Sequence, residues 1–94
     1  MLITVTTTNT PLRELLSTAG EDVSRYEGRA RNMLIQNKHA TESIYIELDG
    51  ITAVTTDSVE IAAWDSFSFN GVVLWDTNLI AWGTNNATRV LINK

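Results

Sequence analysis

The feature that most constrains the fold of this chain is a repeated alternation of apolar and polar residues within short segments. A period of two residues is the pattern of a β-strand with one buried face. From Ala30 onward such segments recur about every 8 to 12 residues, separated by turn-forming residues, which is typical of a β-sandwich or barrel. The alternating apolar residues are Ile3 and Val5, Met33 and Ile35, Ile44, Ile46 and Leu48, and Val59, Ile61 and Ala63.

The sequence therefore predicts a mainly β fold: a single β-sandwich or barrel-like domain of about seven to eight antiparallel strands with one short N-terminal helix. A chain of 94 residues has the length of one domain, which we expect to extend over residues 1–94. Within it we expect an N-terminal strand and helix over residues 1–20, an exposed loop over 21–29 and the main β body over 30–94.

The short helix is predicted directly after the first strand. Thr10 is a candidate N-cap, Pro11 is tolerated in a first helical turn, and Gly20 is a candidate stop. The residues expected on the buried face of this helix are Leu12, Leu15 and Leu16.

A β-hairpin is predicted at Asn70 and Gly71, because these residues readily adopt the two positive φ angles of a type I′ turn. Such a turn would pair Phe69 with Val72, and Phe67 with Leu74, on one face of the hairpin.

Composition narrows the possible functions. The chain has no cysteine, which excludes disulfides, thiolate zinc sites and cysteine nucleophiles. Eleven acidic residues against seven basic ones give a net charge of −4, so we expect no nucleic-acid partner. No apolar run approaches the roughly 20 residues that span a bilayer, and the N-terminus does not have the pattern of a secretion signal, so we expect no membrane partner and synthesis in the cytoplasm.

No residue pattern predicts catalysis. The only histidine, His39, lies in a polar tract between two apolar segments, without a serine elbow or a metal-ligand pair, and we interpret it as a turn residue. The carboxylates at Asp49, Asp57, Asp65 and Asp76 have no spacing that favours a catalytic pair. We therefore expect a protein that is not an enzyme and has no cofactor and no metal site.

Three tryptophans leave two interpretations open. Trp64 and Trp75 are each followed by aspartate, and Trp82 is the third. An indole beside a carboxylate could hold a sugar ring, but tryptophans are more often core or interface residues, and burial in the core or in a subunit interface is favoured. The arginines at positions 25, 29 and 31 could likewise meet an acidic partner, although a solvated face is favoured.

Several segments form a combined pattern: residues 35–37 (Ile-Gln-Asn), the strand at 43–48 after a polar turn, and the closing pair at 79–82 and 88–92. Together they resemble small β-rich structural proteins of the virions of tailed bacteriophages. The resemblance covers residues 30–94. The chain differs from the pattern at Glu47, where a glycine recurs, and at residues 64–66, where a Gly-Ser turn is usual.

The resemblance implies a virion structural protein, with a capsid decoration or cement protein on the outer surface of a phage head as the favoured role. The alternatives are a neck, tail or fibre accessory protein, or a small carbohydrate-binding module. The implied partners are the major capsid protein or other virion proteins and further copies of the chain, with a trimer favoured, and the implied location is the virion.

Contact residues are expected on this basis at three places. The N-terminal segment and the loop at 21–29 would contact the capsid or a subunit, and the tryptophans would form an oligomer interface or a ligand platform. These residues are Leu2, Ile3, Val5, Arg25, Tyr26 and Arg29, and Trp64, Trp75 and Trp82.

Overall fold

The computed structural model of the chain is a sandwich of two four-stranded antiparallel sheets, which confirms the predicted mainly β fold. It describes residues 1–26, 30–48, 54–55, 57–73, 77–81 and 83–92, and only the backbone of Arg25 and Val72. Within these residues the first sheet has the strand order β1-β8-β3-β6 and the second the order β2-β7-β4-β5.

In the described part of the chain, both helical segments lie between the second and third strands. The N-terminal part contains β1, β2, the helix α1 and a short 3-10 helix, and the remaining strands follow from residue 31. Their bounds are β1 Leu2–Val5, β2 Thr10–Pro11, α1 Leu12–Thr18, the 3-10 helix Val23–Tyr26, β3 Arg31–Asn37, β4 Ile44–Glu47, β5 Val59–Ile61, β6 Ser66–Val72, β7 Asn78–Ala81 and β8 Asn86–Ile92.

The core lies between the two sheets and under the helix, as the alternation predicts. Met33 and Ile35 of β3 lie opposite Ile92 and Val90 of β8, so apolar side chains share the inner face of the first sheet. The second sheet and the helix complete the hydrophobic cluster. Its buried members are Ile3, Val5, Leu12, Leu15, Leu16, Tyr26, Met33, Ile35, Ile44, Ile46, Ile61, Phe69, Leu79, Ala81 and Val90.

The N-terminal segment passes from one sheet to the other. After β1, the carbonyl oxygen of Thr6 accepts a hydrogen bond from the backbone N–H of Ala81 in β7, at 2.8 Å. Thr10, the first residue of β2, then pairs with Leu79 of β7. The prediction that Thr10 is the helix N-cap is wrong, because Pro11, with φ −61° and ψ 141°, holds that position. The difference arises because the helix begins at Leu12, so that Pro11 and not Thr10 directly precedes its first residue.

The helix ends as predicted, near Gly20. The last helical residue is Thr18, and Gly20 follows at a φ of +95°, a conformation that glycine adopts without strain. Within the segment 21–29, predicted to be an exposed loop, the structure has the 3-10 helix Val23–Tyr26, and its last residue, Tyr26, is buried. Residues 27–29 lie outside the described residues.

The predicted hairpin at Asn70 and Gly71 is wrong. Both residues lie inside β6, which remains paired with β3 from Ser66 to Val72. Between the pairs Met33–Phe69 and Arg31–Val72, two residues of β6 oppose one residue of β3, which is a β-bulge. The positive φ of Gly71, +68°, serves this bulge, and the N–H of Gly71 donates to Oδ1 of Asn32 at 3.2 Å. Leu74, the other predicted hairpin residue, lies outside the described residues.

Candidate functional site

Several connections between strands meet at one end of the sandwich, which we call the loop end. Asn37 at the end of β3 lies opposite Thr88 near the start of β8, and Gln36 lies opposite Ser66 at the start of β6. In the second sheet, Ile44 at the start of β4 lies opposite the ends of β5 and β7. The antiparallel registers therefore bring the β3–β4, β5–β6 and β7–β8 connections to this end.

Asn37 fixes the β3–β4 connection from inside the protein. It is fully buried, and its Nδ2 donates to the carbonyl oxygens of Glu42, at 2.8 Å, and Ile61, at 3.0 Å. Its Oδ1 accepts the backbone N–H of His39 at 2.9 Å. One amide thus joins β3, the turn after it and the end of β5, and a side chain with both donor and acceptor atoms is required there.

Asn86 extends this buried network to β8. Its Nδ2 donates to the carbonyl oxygen of Glu42 at 3.1 Å and to Oδ1 of Asn37 at 3.4 Å. Oδ1 of Asn86 and Oγ1 of the buried Thr88 have no hydrogen-bond partner among the described residues. Because an unsatisfied buried polar group costs about 1–3 kcal/mol, the network holds the loops at the expense of stability.

His39 also stabilises the turn in which it lies. Its Nδ1 accepts the backbone N–H groups of Thr41, at 3.1 Å, and Glu42, at 2.9 Å. Its Nε2 lies 3.3 Å from Oγ1 of Thr84 in the β7–β8 connection. The ring therefore ties two connections together, and this role agrees with the interpretation of His39 as a turn residue.

Trp64 occupies a strained position in the β5–β6 connection. The N–H of Asp65 donates to the carbonyl oxygen of Ala62 at 3.0 Å, which closes a four-residue turn with Trp64 as its third residue. The φ of Trp64 is +65°, and no other non-glycine residue of the described part has a positive φ. Turn positions of this kind are typical of glycine, and a side chain there costs roughly 1–2 kcal/mol.

The strained turn presents the indole to solvent. Trp64 is 57% exposed, and Nζ of Lys38 lies 5.8 Å from the centroid of its ring. Lys38, Asp65 and Thr84 are exposed as well. We call these four residues, Lys38, Trp64, Asp65 and Thr84, the loop surface. It combines an aromatic plane, an ammonium group and a carboxylate on connections that buried hydrogen bonds hold in position.

A second polar group lies on the outer face of the second sheet, next to the loop end. Oγ of Ser43 donates to Oε2 of Glu60 at 2.6 Å, and the hydroxyl of Tyr45 donates to the same atom at 3.4 Å. Burial raises the pKa of the Tyr45 hydroxyl, and the charge of Glu60, its hydrogen bond and the charge of Glu42 raise that pKa further. The Tyr45 hydroxyl therefore stays neutral, and donates its hydrogen bond to Glu60, at pH values above those at which a tyrosine ordinarily loses its proton.

The contact residues expected from the sequence differ in their exposure to solvent. Leu2 is 59% exposed, whereas Ile3 and Val5 lie in the core. Tyr26 is also buried, with its hydroxyl donating to Oε1 of Glu21 at 3.3 Å and the guanidinium of Arg31 5.6 Å from its ring centroid. The expectation that the side chains of Ile3, Val5 and Tyr26 contact a partner is therefore corrected, because they already pack inside the monomer.

The other expected contact residues divide in a similar way. Trp64 is exposed and belongs to the loop surface, so the core interpretation does not apply to it. The side chain of Arg25, and the whole of Arg29, Trp75 and Trp82, lie outside the described residues.

The sequence interpretation did not predict the buried asparagine network, although the alternation of residues contains a signal for it. Asn37 continues the alternation of Met33 and Ile35, and Asn86 and Thr88 precede Val90 in the same period. Polar residues at positions that the alternation assigns to the core are candidates for buried hydrogen-bond networks.

The described residues contain no cluster of three or more histidine, cysteine, aspartate or glutamate residues that could hold a metal ion. They also contain no helix that is long and apolar enough to cross a membrane.

Comparisons of the chain with protein-family models, with curated proteins and with solved structures found no match.

Proposed function

We propose that this protein acts by binding rather than by catalysis, as a virion structural protein that decorates the outer surface of a phage capsid and stabilises the shell. The observation that carries the proposal is the exposed Trp64 on a strained turn. Backbone strain at an exposed aromatic residue indicates that its position serves a contact, because relaxing the strain would move the side chain away from that contact. Tryptophan is also among the residues that contribute most to protein interfaces.

The surroundings of Trp64 support a protein partner. Lys38 beside the indole adds a cation that can pair with a carboxylate of the partner, and the buried hydrogen bonds of Asn37 hold the connection that carries Lys38. A preorganised surface loses little conformational entropy on binding. On a capsid, many copies would make the same contact, and each bound copy would favour the assembled shell over its separate subunits.

The outer face of the first sheet supports contacts between copies. Leu91 of β8 is 42% exposed and lies opposite Leu34 of β3. Apolar side chains on an outer face are suited to a subunit interface. The proposed assembly is a homo-oligomer, with a trimer favoured by the resemblance, and sedimentation equilibrium tests it.

The first experiment is to count copies of this chain by quantitative mass spectrometry in virions purified from the source. Hundreds of copies per particle are expected for a decoration protein. A handful to about a dozen copies would instead assign the protein to the neck, tail or a fibre. Absence from the particle would refute the virion proposal.

The second experiment tests the surface by measuring binding to undecorated capsids. Trp64→Gly should weaken binding at least tenfold, since it removes the indole and keeps a residue suited to the turn. Val59→Ser is the matched control, because Val59 is 42% exposed but lies at the far end of β5. Equal binding by the two variants would exclude Trp64 from the contact.

A carbohydrate-binding module is the second candidate function. It is favoured by one observation, the adjacent exposure of Trp64 and Asp65, which offers a stacking plane beside a hydrogen-bond acceptor. A glycan array followed by titration of tryptophan fluorescence separates the two functions. Saturable quenching by a glycan that Trp64→Gly abolishes would favour the module, and a decoration protein should give none.

A further inference from the structure

The free edge of β1 presents main-chain hydrogen-bonding groups that the first sheet does not use. Val90 donates its N–H to the carbonyl oxygen of Met1 at 2.8 Å, and the nitrogen of Met1 donates to the carbonyl oxygen of Val90 at 3.2 Å. In an antiparallel pair such bonded residues alternate, so Ile3 and Val5 also direct their main-chain groups toward β8. The N–H and C=O groups of Leu2 and Thr4 therefore point away from the sheet.

A groove runs along this edge. It has a volume of about 520 Å³ and lies between the N-terminal strand and the helix α1. Among the described residues, Leu2, Thr4 and Thr6 form one wall, and Glu14, Leu15 and Thr18 form the other. The strand and the helix thus leave a channel beside backbone groups of Leu2 and Thr4 that pair with no other described residue.

We propose that this groove binds an extended segment of a partner polypeptide, which adds a strand to β1 and places a lysine or arginine opposite Glu14. Main-chain groups along a strand edge are complementary to another strand, as in peptide recognition by β-augmentation. The four residues of β1 offer a pairing length of about 14 Å, which suits a segment of about four residues.

The lining of the groove specifies the chemistry of the segment. Threonines and Leu15 favour small or β-branched side chains at alternate positions. Glu14 is exposed and is the charged residue among the described lining residues, so a cation on the segment would complement it.

The other strand edges are less suited to this role. Pro11 in the two-residue strand β2 has no N–H to donate, and β5 has three residues. The edge strand β6 contains the bulge at Gly71, and bulges disfavour pairing with another strand.

A second copy of the chain fits the groove less well than a different partner. Pairing of β1 with β1 of another copy would bring a second helix α1 to the same edge and place two Glu14 carboxylates near each other. Like charges across an interface disfavour association.

This inference does not depend on the proposed capsid contact. The strands β1 and β6 lie at opposite edges of the first sheet, and Trp64 is in the connection that leads into β6. Loss of one binding activity therefore need not affect the other.

The test begins with a display library of random eight-residue peptides selected against the whole protein. Enriched peptides should alternate β-branched residues and carry a lysine or arginine. On binding, amide hydrogen exchange should slow at Leu2 and Thr4 and stay unchanged at Ile3 and Val5, which are already bonded to β8. No enrichment above the library background, or protection elsewhere only, would overturn the proposal.

Two variants of one residue separate main-chain from side-chain recognition. Thr4→Pro removes the N–H that faces the groove and should weaken binding of an enriched peptide at least about fivefold. Thr4→Val keeps both the N–H and the shape of the side chain, and its affinity should stay within about twofold. Equal binding by the two variants would contradict strand addition. A concentration-dependent dimer that Thr4→Pro abolishes would contradict the assigned partner, since a second copy would then fill the groove.

A third variant keeps the proposal testable where Thr4→Pro fails to fold by circular dichroism. Glu14→Lys is on an exposed helix position, and it should change the selected charge from lysine or arginine to aspartate or glutamate. Selection of the same basic peptides by Glu14→Lys would overturn the assigned orientation and the proposal with it.

Discussion

Replacing Asn37 with aspartate is the sharpest test of how the loop end is built. The change preserves the size of the side chain and replaces its NH₂ group with an oxygen. That oxygen would lie where Nδ2 now donates to the carbonyl oxygens of Glu42, at 2.8 Å, and Ile61, at 3.0 Å. Two buried donors are lost, and a carboxylate faces two carbonyl oxygens instead.

The expected cost follows from these two contacts. Each lost bond in a buried site costs about 1–3 kcal/mol, so we expect Asn37→Asp to lower the free energy of unfolding by about 4 kcal/mol. That is a large part of the roughly 5–15 kcal/mol typical of a domain. At about 4–8 °C per kcal/mol for a domain of this size, the melting temperature should fall by about 15–30 °C.

The assay is urea unfolding at pH 7 and at pH 4, followed by circular dichroism. Burial and the two carbonyl oxygens should raise the pKa of the new carboxyl group in the folded state. The folded state then binds more protons than the unfolded state above the unfolded pKa, so the loss of stability should grow as the pH rises from 4 to 7. An unchanged loss at both pH values would mean that the carboxylate is not buried.

The control is the same chemical change on the same strand. Asn32 is exposed, and its Oδ1 accepts the N–H of Gly71 at 3.2 Å, a bond that aspartate can also accept. Asn32→Asp should change the free energy of unfolding by less than about 0.5 kcal/mol. If Asn37→Asp is no more destabilising than Asn32→Asp, the buried network does not hold the loop end.

Three further predictions concern single positions. Trp64→Gly should be more stable than Trp64→Ala by about 1 kcal/mol in thermal unfolding, because both variants lose the indole and only alanine keeps the strain of a positive φ. Equal stabilities of the two variants would refute the strain at this position. Thr88→Val should raise the free energy of unfolding by about 1 kcal/mol, since it removes a buried hydroxyl without a described partner, and a loss would reveal a partner. The pKa of Tyr45 should exceed 10.0 in an ultraviolet titration of the Tyr26→Phe variant, in which Tyr45 is the remaining tyrosine. Adding Glu60→Gln should lower this pKa only in part, since burial is the larger cause of the shift. Because that pKa is raised in the folded state, stability should decline as the pH rises through 10.0; an unshifted titration would contradict the Tyr45–Glu60 contact.

The sequence predicts the class of fold because burial follows the alternation directly. Ile3 and Val5, and likewise Met33 and Ile35, point inward wherever the chain is extended and one face is covered. The same reasoning does not tell how far the buried face extends along an edge strand. Val59 and Ile61 share one period, yet Val59 is 42% exposed at the end of the short edge strand β5, while Ile61 is buried.

Local turn preferences are less reliable because tertiary pairing can override them. Asn70 and Gly71 suit a hairpin turn, but a positive φ at glycine serves a bulge equally well, and only the continued pairing of β6 with β3 decides between them. Trp64 illustrates the opposite case, since no propensity predicts tryptophan at a turn position typical of glycine. The loop surface could therefore not be located from the sequence, although the sequence does identify Trp64 and Asp65 as a possible ligand-binding pair.

The pairing of β1 with β8 has a consequence for folding during synthesis. In the first sheet β8 lies between β1 and β3, so a strand that is made after β1 to β7 takes a central place. Until it is made, β1 has no neighbour in that sheet and β3 has one open side. The nascent chain must therefore keep two unpaired strand edges in water while the rest is synthesised, which exposes it to aggregation.

Folding of this domain should accordingly be completed only after β8 has left the ribosome. Contacts between residues as far apart as Met1 and Val90 close a long loop, and β-folds dominated by such contacts reach the native state in milliseconds to seconds rather than microseconds. A chain that stops before Asn86 would lack the strand that joins the two halves of the first sheet, and should accumulate as an insoluble product.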